Sequence, residues 1–85
     1  MNEEVVINNF KKIVVTRPVD IIIDQIRELI VSGELKPGDK LPSERKLSEA
    51  FNIGRTHVRD AISKLEFYGI LKTLPQSGTI VAGIG

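Results

Sequence analysis

Apolar residues recur along the chain in three stretches of helical spacing, followed by one stretch of strand-forming residues. Val19, Ile22, Ile23, Ile26, Leu29 and Ile30 fall three or four positions apart, the spacing that lines one side of a helix. Pro18 suits the first turn of that helix, where its missing N–H costs nothing, and Gly33 supplies a left-handed stop. Lys36-Pro37-Gly38-Asp39 places proline and glycine at the centre of a type II turn, and Lys40-Leu41 reads as a very short strand. After Pro42, Ser43 is a helix cap; Leu47, Ala50 and Phe51 are the expected buried side of a second helix that Asn52 ends in the left-handed conformation. Ile53 is the apolar plug of a tight turn and Gly54 caps a third helix, whose inner side is Val58, Ala61, Ile62 and Leu65.

Gly69 closes the third helix. The residues from Ile70 to Leu74 then read as a strand, Pro75-Gln76-Ser77-Gly78 as a turn, and Thr79-Ile80-Val81 as the returning strand. Phe67 and Tyr68 are expected to pack between the third helix and this hairpin. Residues 1–12 show no sustained period and read as a partly disordered tail, Ile13-Val14-Val15 as a short strand, and residues 82–85 as the start of a linker. The expected fold is mainly α with a small β-hairpin: a winged helix-turn-helix of three helices plus a wing, spanning residues 13–81.

With 85 residues, of which 41% are hydrophobic and 27% charged, the chain has material for one small globular core. Its longest apolar runs, such as Ile21-Ile22-Ile23, fall far short of the roughly 20 residues that a membrane span needs. Glu3 and Glu4 stand where a signal peptide would carry positive charge. The absence of cysteine excludes disulfides and thiolate metal sites and fits a reducing compartment, so a cytoplasmic location is expected. The formal net charge of +1 does not by itself point to a polyanionic partner; the distribution of charge has to do so.

That distribution changes the picture on the third helix. At about 100° per residue, Arg55, Thr56, Arg59 and Ser63 fall within one arc, apart from the arc of Val58, Ala61, Ile62 and Leu65. One side of the helix can pack while the other presents arginines, whose planar fork matches the O6 and N7 acceptors of guanine in the major groove. Arg45, in the first turn of the second helix, stands beside this surface, and Gly54 opens a helix start whose free N–H groups favour a phosphate. The competing reading is a solvated surface, with Arg59 paired to nearby Asp60 or Glu66. Position within a helix, short turn, helix and hairpin favours DNA contact.

The run from Gly33 through Pro37-Gly38-Asp39-Lys40-Leu41-Pro42-Ser43-Glu44-Arg45 to Leu47 resembles the GntR family of bacterial regulators. So do Arg55-Thr56-His57-Val58-Arg59-Asp60-Ala61-Ile62, Gly69-Ile70-Leu71 and Ser77-Gly78-Thr79-Ile80-Val81. The resemblance, closest to the subgroup related to fatty-acid and gluconate regulators, covers residues 19–81. It implies an N-terminal winged helix that binds a short palindromic operator as a homodimer and a C-terminal effector domain that lies outside these 85 residues. Such effector domains are all-helical and take small carboxylates or metals, so no ligand-sensing residue is assigned here. Carried over by position, the operator contacts fall on Arg45, Arg55, Thr56 and Arg59, with the wing tip of Gln76, Ser77 and Gly78 in the minor groove.

The chain departs from the family pattern at three places. Gly54 stands where serine or threonine often caps the third helix, and Lys46 where glutamate would complete a capping box, which predicts a weaker start to the second helix. The wing, Leu74-Pro75-Gln76, lacks the arginines that members often carry there. An enzyme would need a nucleophile, an acid–base pair or a metal cluster converging on one pocket, and no such group is apparent. His57 is the only histidine, and Asp20 and Asp24 read as favourable charge at a helix start. No catalytic residue, metal or cofactor is therefore expected. The alternative of another class is a winged helix used as a protein–protein interaction module without specific DNA binding.

Overall fold

The computed structural model describes residues 2–11 and 17–83; the strand expected at Ile13-Val14-Val15 lies outside the described residues. The described elements are α1 (Glu3–Asn8), α2 (Pro18–Ser32), α3 (Glu44–Phe51), α4 (Arg55–Phe67), β1 (Leu71–Leu74) and β2 (Gly78–Val81). This is a winged helix-turn-helix with one short helix ahead of it. The segment read as a tail thus contains α1, which Asn2 caps by accepting a hydrogen bond from the Glu4 N–H and which buries no residue.

Local chemistry accounts for where the elements start and stop. Pro18 opens α2 and Gly33 ends it at φ 85°, a backbone conformation that glycine adopts without a steric penalty. Gly38, at φ 89°, occupies the third position of the Lys36–Asp39 turn, whose Asp39 N–H donates to the Lys36 carbonyl at 2.9 Å. Despite Lys46, α3 begins regularly: the Ser43 hydroxyl accepts from the Lys46 N–H at 3.2 Å, and Glu44 puts an acid in the first turn. Asn52 ends α3 at φ 53°. The turn that follows is clamped twice, because the Ser48 hydroxyl donates to the Ile53 carbonyl at 2.5 Å while the Ile53 N–H donates to the Ser48 carbonyl at 3.1 Å.

The core forms where α2, α3, α4 and the hairpin meet. Val58, Ala61 and Leu65 on α4 have no exposed surface, and they join Val19, Ile22 and Ile26 of α2, Leu47 of α3, Leu41, Leu71 and Val81. The antiparallel hairpin pairs Leu71 with Val81 and Leu74 with Gly78. A third segment lies along the outer edge of β2: the Gly38 N–H reaches the Val81 carbonyl at 2.8 Å and the Leu41 N–H the Thr79 carbonyl at 2.9 Å. The very short strand expected at Lys40-Leu41 takes the form of a single bridge between Lys40 and Ile80.

Three expected core positions are corrected. Ala50 is exposed, because α3 spans only eight residues and its apolar stripe narrows to Leu47 and Phe51, one turn apart. Phe67 is 87% and Tyr68 70% exposed, rather than packed between helix and wing. Phe67 follows Leu65 by two residues, about 200° around the helix and so away from the core. Tyr68 caps the helix, and Ile70, whose N–H donates to the Leu65 carbonyl at 2.9 Å, covers the core in its place. The two exposed rings instead pack edge to face on each other at 5.7 Å.

This correction separates two neighbouring substitutions. Leu65→Ala should destabilise the domain by about 2–5 kcal/mol, the usual cost of truncating a fully buried leucine. Phe67→Ala should cost less than about 1 kcal/mol, since the ring meets water. Urea denaturation followed by far-UV circular dichroism gives both values, and a Phe67→Ala loss as large as that of Leu65→Ala would restore the packed reading.

Candidate nucleic-acid interface

The buried residues on one side of α4 fix the rotation of the helix and so decide what its other side presents. Arg55, Thr56 and Arg59 are all exposed on the first turn and a half, next to the Gly54 cap. Gly54 caps through its extended backbone alone, at φ −64° and ψ 150°, without a side-chain bond. Arg45 projects from α3 with its side chain 66% exposed; its nearest carboxylate, Glu49 one turn later, is 3.8 Å away and leaves the guanidinium fork open.

Between α3, α4 and the hairpin runs a groove of about 940 Å³. Arg59 and Ser63 line its α4 side, Ser43, Glu44 and Lys46 its α3 side, and Gln76, Ser77, Gly78 and Thr79 its wing side. The fold therefore brings Arg59 and the wing tip into one concavity. Arg45, Gly54, Arg55 and Thr56 are not among its lining residues and lie on the open surface.

The wing tip is built for a tight reversal. Pro75 and Gln76 are the central residues of a turn closed by the Ser77 N–H on the Leu74 carbonyl at 3.3 Å, and Gln76 sits at φ 64°. Gly78 has φ 86°, and a Cβ built there would come within 3.0 Å of Lys40 Cε. The Lys40 side chain thus lies across the wing. It brings to the hairpin a cation that Leu74-Pro75-Gln76 lacks, a residue that sequence reasoning missed because the approach is not local. Below the tip, Thr73 donates to Glu66, which joins the wing to α4, and lies 3.2 Å from the Thr79 hydroxyl.

Arg59 does not pair with Asp60 or Glu66. It donates from Nε to Glu44 Oε2 at 3.2 Å and from Nη2 to Glu44 Oε1 at 2.8 Å, a two-point contact between α3 and α4. The hydrogen bonds from Arg59 hold the Glu44 carboxyl below its ordinary pKa, helped by the charges of Arg59 and Arg55. The same partnership raises the pKa of the Arg59 guanidinium. Sequence reasoning missed Glu44 as well, although its place at the start of α3 in contact range of α4 follows from the helix-turn-helix arrangement.

A winged helix-turn-helix whose α4 is pinned by its apolar side defines the class of this domain. The family described as "Bacterial regulatory proteins, gntR family" matches residues 18–81, and the chain belongs to that family. It is 48% identical over 60 residues to the mannosyl-D-glycerate transport/metabolism system repressor MngR of Escherichia coli, covering 71% of this chain and 25% of that one. It is 44% identical over 61 residues to the transcriptional repressor NagR of Bacillus subtilis, covering 72% and 25% respectively. The chain thus spans about a quarter of the length of these relatives. Among solved structures, a transcriptional regulator from Oenococcus oeni superposes with a TM-score of 0.81 at 27% identity, over 89% of this chain and 64% of that one. The DNA-binding domain of AraR in complex with operator ORR3 superposes with a TM-score of 0.74 at 27% identity, over 86% of this chain and 93% of that one.

Because the Glu44 carboxyl is held below its ordinary value, the pair contributes fully above that value and is lost as pH falls through the lowered one. The Arg59 Nε–H resonance should therefore titrate with a midpoint below the ordinary glutamate value. An NMR titration checks this; movement centred on the ordinary glutamate value would show that the two groups do not hold each other in solution.

Proposed function

We propose that this chain is the sequence-specific DNA-binding domain of a transcriptional regulator that acts on a short palindromic operator. Helix α4 enters the major groove, with Arg55 and Arg59 directed to base edges and Thr56 to a phosphate or a thymine methyl. Arg45 and the Gly54 backbone hold the neighbouring strand, and the hairpin follows the minor groove with Gln76, Ser77 and Gly78 at its tip. The observation that carries this reading is the division of α4: Val58, Ala61 and Leu65 are fully buried, while Arg55, Thr56 and Arg59 stand exposed on the other side. The superposition on the AraR DNA-binding domain, solved in complex with an operator, supports DNA as the ligand of this domain. Lys40, lying across Gly78, supplies the phosphate contact for which the wing tip itself has no cation.

Pairing on the palindrome is assigned to a C-terminal effector domain outside these residues, a reading supported by the greater length of the relatives. Two of those relatives are named repressors, which supports repression as the mode of action and regulation rather than catalysis as the role of this chain. Site and family together favour a cytoplasmic protein that works on the chromosome. The protein-interaction reading has one observation on its side, the exposed Phe67 and Tyr68. They lie at the opposite end of α4 from Arg55, so a protein contact there is compatible with DNA at the other end.

Selection from a pool of random duplexes tests the reading, with the enriched site then titrated against a scrambled duplex at two salt concentrations. A short enriched site bound well above the scrambled sequence is expected; no enrichment would transfer the lead to the interaction module. Arg55→Ala should cost roughly 1–3 kcal/mol on the enriched site and little on the scrambled one. Lys40→Ala should weaken both alike and lower the salt slope by about one.

A further inference from the structure

Among the described residues, the Arg59–Glu44 contact is a two-point ion pair between the two helices of the helix-turn-helix, and it lies inside the groove between α3, α4 and the wing. A guanidinium has two donor edges: a side edge formed by Nε and one terminal nitrogen, and an outer edge formed by the two terminal nitrogens. Glu44 takes the side edge through both of its oxygens. The outer edge keeps its donors, and the Arg59 side chain remains 69% exposed while that of Glu44 is only 31% exposed. The arginine is therefore tethered on its inner side and open on its outer one. Glu44 is itself fixed at the start of α3, in the turn capped by Ser43.

Resting on the reading of α4 as the recognition helix, we infer that Glu44 is a positioning residue. Its carboxylate grips the side edge of Arg59 and so presents the outer edge as a preset fork to a guanine. Charge alone predicts the opposite effect. A carboxylate beside a DNA groove repels phosphate, so its removal should tighten binding to every sequence. A positioning role predicts lost discrimination instead, because an untethered arginine samples geometries that do not match the base. Since the two effects differ in sign, one experiment decides between them.

The 85-residue chain is titrated at one fixed salt concentration with its selected duplex and a scrambled one. The variants are Glu44→Gln, Glu44→Asp, Arg59→Ala and the double substitution Glu44→Gln/Arg59→Ala, each first checked for an unchanged thermal transition. Glu44→Asp keeps the charge at the start of α3 but is too short to hold both donors, so it carries the test if Glu44→Gln does not fold. The expected result is a roughly tenfold loss of preference for the selected duplex in both Glu44 variants, with binding to the scrambled duplex unchanged or tighter. In the Arg59→Ala background the Glu44 substitution should change the preference by less than about twofold. Equal tightening on both duplexes would overturn the inference in favour of a simple charge brake. An equal loss of preference with and without Arg59 would overturn it in favour of direct base contact by Glu44. A wild-type chain without preference would fail the recognition reading itself, and the positioning role with it; a selective wild type with unaffected Glu44 variants would fail the positioning role alone.

Discussion

The burial of Val58, Ala61 and Leu65 is the constraint from which the rest of this small fold takes its orientation. These residues occupy one narrow arc of α4, and α4 is the element in contact with α2, α3 and β1. A rotation of α4 by one residue, about 100°, would carry the whole arc out of the core and the arginines into it. Such a register costs several buried side chains and leaves charge unsolvated. Residues that Arg55, Thr56 and Arg59 need not touch therefore hold them in place, and a surface built on a rigid helix keeps its geometry better than one built on a loop.

The wing depends on a second constraint, this one from hydrogen bonding. A two-stranded hairpin is marginal by itself in water. Here its outer edge is taken up by the bonds from Gly38 and Leu41 to β2, and Leu41, Leu71 and Val81 are buried beneath it. The segment that makes these bonds also leads into α3 through Pro42 and Ser43. The position of the hairpin relative to the helix-turn-helix is thus set by backbone pairing at one end of α3 and by the Thr73–Glu66 bond to α4 at the other. Gly78 matters in this setting because its missing Cβ leaves room for Lys40.

What could be read in advance was what local chemistry decides. Pro18, Gly33, Gly38, Ser43, Asn52 and Gly54 each fix a boundary through their own backbone or side chain, and all six stand where the sequence placed them. The arc carrying Arg55, Thr56 and Arg59 was legible for the same reason, since helical periodicity is local. Features that depend on which elements meet were not. Arg59 finds its partner fifteen positions away, where the sequence offered Asp60 and Glu66 as nearer carboxylates, and Glu66 is engaged by Thr73 instead. The exposure of Phe67 and Tyr68 depends on where α4 leaves the core, and composition favours the opposite expectation for aromatic rings. The short helix α1 escaped because its cap, Asn2, precedes a run too brief to show a period.

The modest charge of the chain gives these few contacts their weight. Non-specific attraction to a duplex grows with the number of phosphates neutralised, and in this chain 12 lysines and arginines are nearly balanced by 11 carboxylates. The groove reflects the same balance, because Lys40, Lys46 and Arg59 share it with Glu44 and Glu66. For a DNA reader this composition weakens binding to every sequence and so leaves discrimination to the groups whose geometry is fixed. An exposed ion pair such as Glu44–Arg59 adds little to folding stability. Its place in the groove is better accounted for by the direction it imposes on the one arginine that the helix-turn-helix and the wing share.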